Sequence, residues 1–274
     1  MAGARLPRAL ACLLATTSGW ATAQAADPAL EASRDYLVGA SISSSRPHLG
    51  TEDQRISAGA MWAFQLGRFR FATSGASALL SQGRQRVDSG VSTELRATTH
   101  TTLSASLSFE EGRDWDKDPV YRGLPDVRST LRGRLTASTS LTSRFSASLR
   151  ASQDLLGRDG GLRLDGGLSY RYPISDQTHW DLSLGLGWAN GTYSRTHYGI
   201  DAASAAATGL PFHTLGSGID SASIGWRLTS ALSRRWVGFA GVSVSQLQGD
   251  AARSPLVTSR TVYGASVGLA YRSD

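Results

Sequence analysis

Apolar and polar residues alternate one for one along most of this chain, and a period of two is the signature of half-buried strands. From Thr101 to Phe109, Leu103, Ala105, Leu107 and Phe109 alternate with Thr102, Ser104, Ser106 and Ser108. Trp180, Leu182, Leu184, Leu186 and Trp188 alternate with Asp181, Ser183, Gly185 and Gly187. Leu162, Leu164, Leu168, Tyr170 and Tyr172 share one phase, and Arg163, Asp165, Ser169 and Arg171 share the other. A helical period would place Arg163 beside Leu164, and Asp181 beside Trp180, on one apolar stripe; strands separate them. About twelve such segments occur, each roughly the 9–11 residues that a tilted strand needs to cross a bilayer. They fall near residues 35–44, 55–66, 68–79, 88–97, 101–110, 128–140, 144–154, 162–172, 178–188, 219–231, 235–247 and 260–271. The expected fold is all-β: an antiparallel transmembrane β-barrel of about 12 strands, an even number that returns both ends of the sheet to one side.

The connections support closure. Short ones, around Gly67, Thr98-Thr99-His100, Thr142-Ser143, Pro173 to Gln177 and Ser233-Arg234, alternate with long ones. The long ones are 45–54, 81–87, 111–127, 155–161, 189–218 and 248–259. Short periplasmic turns opposite longer external loops is the barrel arrangement. A soluble sandwich or a lipocalin-like barrel, the alternative all-β reading, gives no reason for loop length to alternate. Aromatics agree. Tyr36, Phe64, Phe69, Phe145, Tyr172, Trp180, Trp236 and Tyr271 fall near the short-turn end, whereas Phe109, Trp188 and Tyr263 fall near the long-loop end. Two such levels are interfacial girdles.

Residues 1–25 read as an export signal and residues 26–274 as the barrel. Arg5 and Arg8 precede a short apolar stretch around Leu13 and Leu14, and Ala21-Thr22-Ala23 and Ala23-Gln24-Ala25 both fit an A-x-A cleavage site. Cleavage removes the one cysteine, Cys12, and with it any disulfide or thiolate metal site. It also lowers the formal charge from +6 to +4 by taking Arg5 and Arg8. The remaining basic charge is Arg, with Lys117 the single lysine, and is spread along the chain. An exported chain without a basic cluster is not a nucleic-acid binder.

The inward phase of the strands carries charge: Arg132, Arg134, Arg150, Arg163, Arg171 and Arg227, with Glu94, Asp165 and Asp181 among them. Such groups must be paired or wetted. Two arrangements satisfy this, a salt-bridge ladder filling a narrow lumen or an Arg-lined path for anions. Gly185, Gly187, Gly225 and Gly268 leave room for either. No catalytic, cofactor or metal site is assigned, and no G-x-S-x-G elbow is present. His197 with Asp201 is the best loop pair for acid–base work, read as solvated. Asp114, Asp116 and Asp118 alternate as cation ligands would, but without the Gly and distal Glu of an EF-hand loop. Asn190-Gly191-Thr192 reads as a turn.

From Gly157 onward the chain resembles the MipA/OmpV family, the MltA-interacting outer-membrane proteins. Gly167-Leu168-Ser169-Tyr170-Arg171-Tyr172-Pro173 is similar to its strand–turn unit. Trp188-Ala189-Asn190-Gly191-Thr192-Tyr193 and Tyr198-Gly199-Ile200 are similar to its W-A-x-x-x-Y and Y-F-G-V motifs, the second without its Phe. Leu247-Gln248-Gly249-Asp250-Ala251-Ala252-Arg253-Ser254-Pro255-Leu256-Val257 is close to L-x-G-D-A-A-x-S-P-I-V. At the end of the chain Tyr271, followed by Arg272-Ser273-Asp274, stands where such barrels usually finish on an aromatic. The resemblance implies a non-enzymatic protein of the Gram-negative outer membrane with no cofactor. Its partners would be outer-membrane lipid and, on the periplasmic side, a lytic transglycosylase and a bifunctional penicillin-binding protein that it scaffolds in the cell wall. A small porin or a surface adhesin are the alternatives.

Overall fold

The computed structural model describes residues 36–45, 55–73, 76, 90–113 and 122–273; the expected export signal lies outside them. Alternation becomes twelve strands: β1 (Tyr36–Ser45), β2 (Arg55–Leu66), β3 (Phe69–Ala72), β4 (Gly90–Ala97), β5 (Thr101–Glu110), β6 (Thr130–Ser140), β7 (Phe145–Asp154), β8 (Leu162–Pro173), β9 (Thr178–Ala189), β10 (Gly218–Ala231), β11 (Trp236–Leu247) and β12 (Thr261–Arg272). Each pairs antiparallel with its sequence neighbours, and β1 pairs with β12 to close the barrel. Closure leaves no sheet edge in the wall, which a strand surface in lipid requires because unpaired amides there find no water.

Burial follows the two phases in the inverse sense to a soluble protein. Leu149, Leu184 and Val267 on the outward phase are 59%, 50% and 54% exposed, whereas Leu37 and Ala270 on the inward phase are fully buried. The outward aliphatics run round the wall, and an apolar surface of that extent belongs in hydrocarbon. Aromatics meet across strands at the short-turn end: Tyr172 stacks on Trp180 and Phe64 on Phe71, and Trp236 meets Tyr271 edge-on.

The third strand is shorter than its alternation predicts. Thr73 ends it: its backbone N–H donates to Trp62 O at 2.9 Å, while its hydroxyl accepts from Trp62 N at 2.9 Å. The hydroxyl thus takes the bond from Trp62 N that a backbone carbonyl would accept in a continued ladder. Beyond it Ala76 is fully buried against Leu37, Met61, Ala63, Ala72, Val237 and Ala270. These are inward positions, so Ala76 lies on the lumen side of the wall. Phe239 packs on the same cluster, in space that Gly268 opens for its ring.

The long 190–217 connection, expected as an irregular loop, holds two short helices, α1 (Gly191–Tyr198) and α2 (Ala202–Thr208). The β11–β12 connection contains a 3-10 turn at Ala251–Arg253. No helix among the described residues is long and apolar enough to cross a membrane, and the strands do the crossing.

Candidate functional site

The inward charges gather into two groups, at opposite ends of the lumen. The outer group centres on Arg163 of β8. Its Nε donates to Asp165 Oδ1 at 3.0 Å, Nη1 to Asp220 Oδ2 at 3.0 Å and to the Tyr193 hydroxyl at 3.3 Å, and Nη2 to Ser221 Oγ at 2.8 Å. Asp220 is almost wholly buried and accepts a further bond from Ser221. A register shift between Ile219 and Ser221 makes this possible. At a β-bulge two successive residues oppose one partner, so Asp220 and Ser221 both reach inward over Gly187. A Cβ at Gly187 would collide with Arg163, Asp220 and Ser221, and the missing side chain is the space the network occupies.

Arg132 of β6 is the neighbouring centre, only 3% exposed. It pairs with Glu110 and donates to the carbonyls of Gly160 and Gly161 at 2.7 and 3.4 Å. Asp154 accepts from Thr130 and from the backbone N–H groups of Leu156, Arg158 and Gly160, which folds the β7–β8 connection down onto Arg132. Tyr193 of α1 lies between the two centres, its ring centroid 5.2 Å from the Arg132 guanidinium and 5.6 Å from that of Arg163. Burial pushes the Tyr193 and Tyr198 hydroxyls above the usual tyrosine range.

That clasp holds the helical connection in the outer mouth. Asn190 caps α1, its side chain accepting from Tyr193 N at 2.9 Å and from Leu162 N at 3.1 Å. Gly161, at φ +58, lets α1 approach, since a Cβ there would collide with Tyr193 N and Asn190. Asn190-Gly191-Thr192, a turn by its sequence, is in the structure a helix cap tied to the wall. The Leu247–Val257 motif secures the other side. Ser254 Oγ donates to Tyr198 O at 2.6 Å, and Gln248 N to Asp220 O at 2.9 Å. Leu256 packs with Ile200 and Leu124, and Ala251 with Tyr193, Tyr198, Leu215 and Leu247. Three connections, after β5, β9 and β11, thus share one packed plug. A crevice of about 590 Å³ remains outside it, between lipid-facing Leu186 and Ile219 and the plug residues Leu215 and Ala251.

The second group sits toward the short turns. Arg171 Nε and Nη2 donate to the two oxygens of Asp181 at 2.7 and 3.2 Å, and His179 Nε2 lies 3.5 Å from the same carboxylate. Arg227, opposite Asp181 in the ladder, stacks 5.7 Å from the Phe239 ring centroid. Arg150 lies between the groups, opposite Asp165, with Nε 3.4 Å from Thr136 Oγ1. Arg134 shares its inward phase with Arg132 on β6 and is partly buried. Glu94, assigned to the inward phase by the alternation, sits beside a bulge in β4 and is exposed.

Alternation does not single out Glu110, Asp154 or Asp220 as members of the outer group, and the sequence marks Tyr193 only through the W-A-x-x-x-Y resemblance. Asp220 stands on the lipid phase of its strand, where a carboxylate is untenable, and that conflict was the signal of the bulge. His197 and Asp201 each serve the plug: His197 stacks 4.2 Å from Tyr193, and Asp201 caps α2 by accepting from Ser204 N at 2.7 Å. Those hydrogen bonds hold the Asp201 carboxyl below its usual range. Asp114, Asp116 and Asp118 lie outside the described residues.

A family model described as MltA-interacting protein MipA matches residues 38–273. Comparison with curated proteins finds no match. Among solved structures, the NanC porin is 9% identical at a TM-score of 0.38, covering 86% of this chain and 98% of its own. OmpT, an outer membrane protein of Vibrio cholerae, is 8% identical at 0.40, covering 87% and 97%. The outer membrane channel DcaP of Acinetobacter baumannii is 8% identical at 0.40, covering 88% and 96%. At that likeness neither their pores nor their solutes transfer to this chain.

Proposed function

This chain belongs to the MltA-interacting protein MipA family and is an outer-membrane β-barrel, and from that premise we propose that it is a plugged platform for periplasmic cell-wall enzymes. The supporting observation is the outer clasp: Arg163 is bound by Asp165, Asp220, Tyr193 and Ser221, so the residue best placed to draw anions through the lumen is spent on holding the plug. Arg132 and Arg171 are ion-paired in the same way. An anion path needs cationic side chains offered to a solute, and these three are offered to carboxylates. The family's description names MltA as an interaction partner, and the resemblance implies a lytic transglycosylase together with a bifunctional penicillin-binding protein as the enzymes such a scaffold would bring together. By the loop-length rule the short turns face the periplasm, so they are the surface such an enzyme meets. The β8–β9 turn, Ser175-Asp176-Gln177, is exposed. Periplasmic extract passed over the immobilised barrel should deposit a lytic transglycosylase, and replacing residues 175–177 with glycines should abolish capture without changing heat-modifiable gel mobility. Capture that survives this replacement and disappears when an external loop is exchanged refutes the platform as oriented here.

A further inference from the structure

The short turns repeat one construction. In 141–145 (Leu141-Thr142-Ser143-Arg144-Phe145), Leu141 N and Thr142 N donate to Phe145 O, and Thr142 Oγ1 accepts from Arg144 N at 3.2 Å and Phe145 N at 3.0 Å. In 232–236 (Leu232-Ser233-Arg234-Arg235-Trp236), Leu232 N and Ser233 N donate to Trp236 O, and Ser233 Oγ accepts from Arg235 N at 3.3 Å and Trp236 N at 3.1 Å. The hydroxyl fixes the turn so that an arginine immediately precedes an outward aromatic. Arg68-Phe69 repeats the dipeptide at the β2–β3 turn. Leu66, Leu141 and Leu232 are 62%, 58% and 64% exposed at these turns. Leu232 folds back along the lipid-facing side of the wall over Gly238.

The direction of Arg144 decides what the unit is for. Its guanidinium lies 5.7 Å from the ring centroid of Tyr172, an outward residue that stacks on Trp180, so the cation sits against the side of the barrel at girdle depth. Tyr170 and Phe145 continue the same aromatic surface. A cation held at the headgroup level, above aliphatics and aromatics that lie in hydrocarbon, meets phosphate first. Arg68, Arg144, Arg234 and Arg235 are exposed in the described short turns, against the single carboxylate of Asp176. We propose that these arginine–aromatic turns are binding sites for the phosphate groups of inner-leaflet phospholipids, with Arg144 over Tyr172 the best-formed of them. The β8–β9 turn, which keeps the backbone pattern but has Gln177-Thr178 in place of arginine and aromatic, is then the one left for a protein partner.

Native mass spectrometry of the barrel in mild detergent, with phosphatidylglycerol as the probe, tests this. Each of Arg144→Gln and Arg235→Gln should lower retained lipid by roughly fivefold, the double variant by more, and Arg144→Lys should fall between. Arg260→Gln, at the opposite rim, should leave retention unchanged, and heat-modifiable mobility identifies the folded fraction. Retention equal to wild type in the double variant overturns the proposal. So does an equal loss in Arg260→Gln, which would mark the lipid as held by net charge alone. If the double variant keeps its lipid and loses only capture of a periplasmic enzyme, the arginines are a protein-docking surface and the lipid assignment is wrong.

Discussion

Arg163 and Asp220 are the residues on which the plug turns, and both sit where water cannot replace a lost partner. Asp220 has 2% of its side chain exposed and Arg163 has 18%. Removing one member of such a pair strands the other charge, which costs on the order of 3 kcal/mol, whereas removing both costs much less. Arg163→Ala should therefore lower the urea midpoint of the refolded barrel more than Arg163→Ala with Asp220→Ala. Equal losses would show that the two charges are not coupled. Tyr193 and Tyr198 give a pH test. Burial raises both hydroxyls above the unfolded value of about 10, because the phenolate is the form that burial penalises. Their contribution is whole below that value and is lost above it, as the unfolded chain ionises first. Proteolysis of the 190–217 connection should rise from about pH 10 upward, and Tyr193→Phe should shift that onset least if Tyr198 governs it. Flat cleavage across the range would mean the two rings do not hold the plug. At this scale the sequence was partly readable: alternation assigns Arg163, Asp165, Arg171 and Asp181 to one phase, and the carboxylate of Asp220 on the opposite, lipid phase marks the bulge, but alternation carries no sign of which groups the bulge brings together.

Individual strands were the most readable elements, since lipid on one side and lumen on the other enforce a strict period of two. The expected segment 101–110 and the observed Thr101–Glu110 coincide, as do 55–66 and Arg55–Leu66. Where a side chain competes for the ladder, alternation misleads: the expected 68–79 strand stops at Ala72 because the Thr73 hydroxyl bonds back to Trp62. The helices α1 and α2 were hidden for another reason. Both are short and rich in Gly, Ala, Ser and Thr, and they are set by the Asn190 and Asp201 caps and by packing more than by propensity. Strand phase itself can be tested on β9. Leu184→Arg places a cation in mid-bilayer at about 2–4 kcal/mol, and Ser183→Arg, one residue away, faces the lumen and escapes that term. Folded yield by gel mobility should collapse for Leu184→Arg and fall only modestly for Ser183→Arg, with crowding near Gly225 the residual effect. The reverse order would mean the wall is inside out.

Taken as a whole molecule, the barrel puts its apolar surface outside and its charges inside, and ties three external connections together in its outer mouth. The lumen holds an Arg–Asp–Tyr clasp at one end and an apolar cluster with an Arg–Asp–His group toward the other. On the proposed reading, a barrel filled in this way presents its short-turn rim, to lipid through the arginine–aromatic turns and to an enzyme through the β8–β9 turn. Current across a planar bilayer measures most directly whether the lumen is occupied. The wild-type barrel should pass no steady current, and replacing residues 191–216 with a short glycine linker should open one, because the plug and not the wall is the barrier. A stable, anion-preferring current through the wild type, shifted toward cations by Arg163→Ala and Arg171→Ala, would contradict the plugged platform and make the chain a channel.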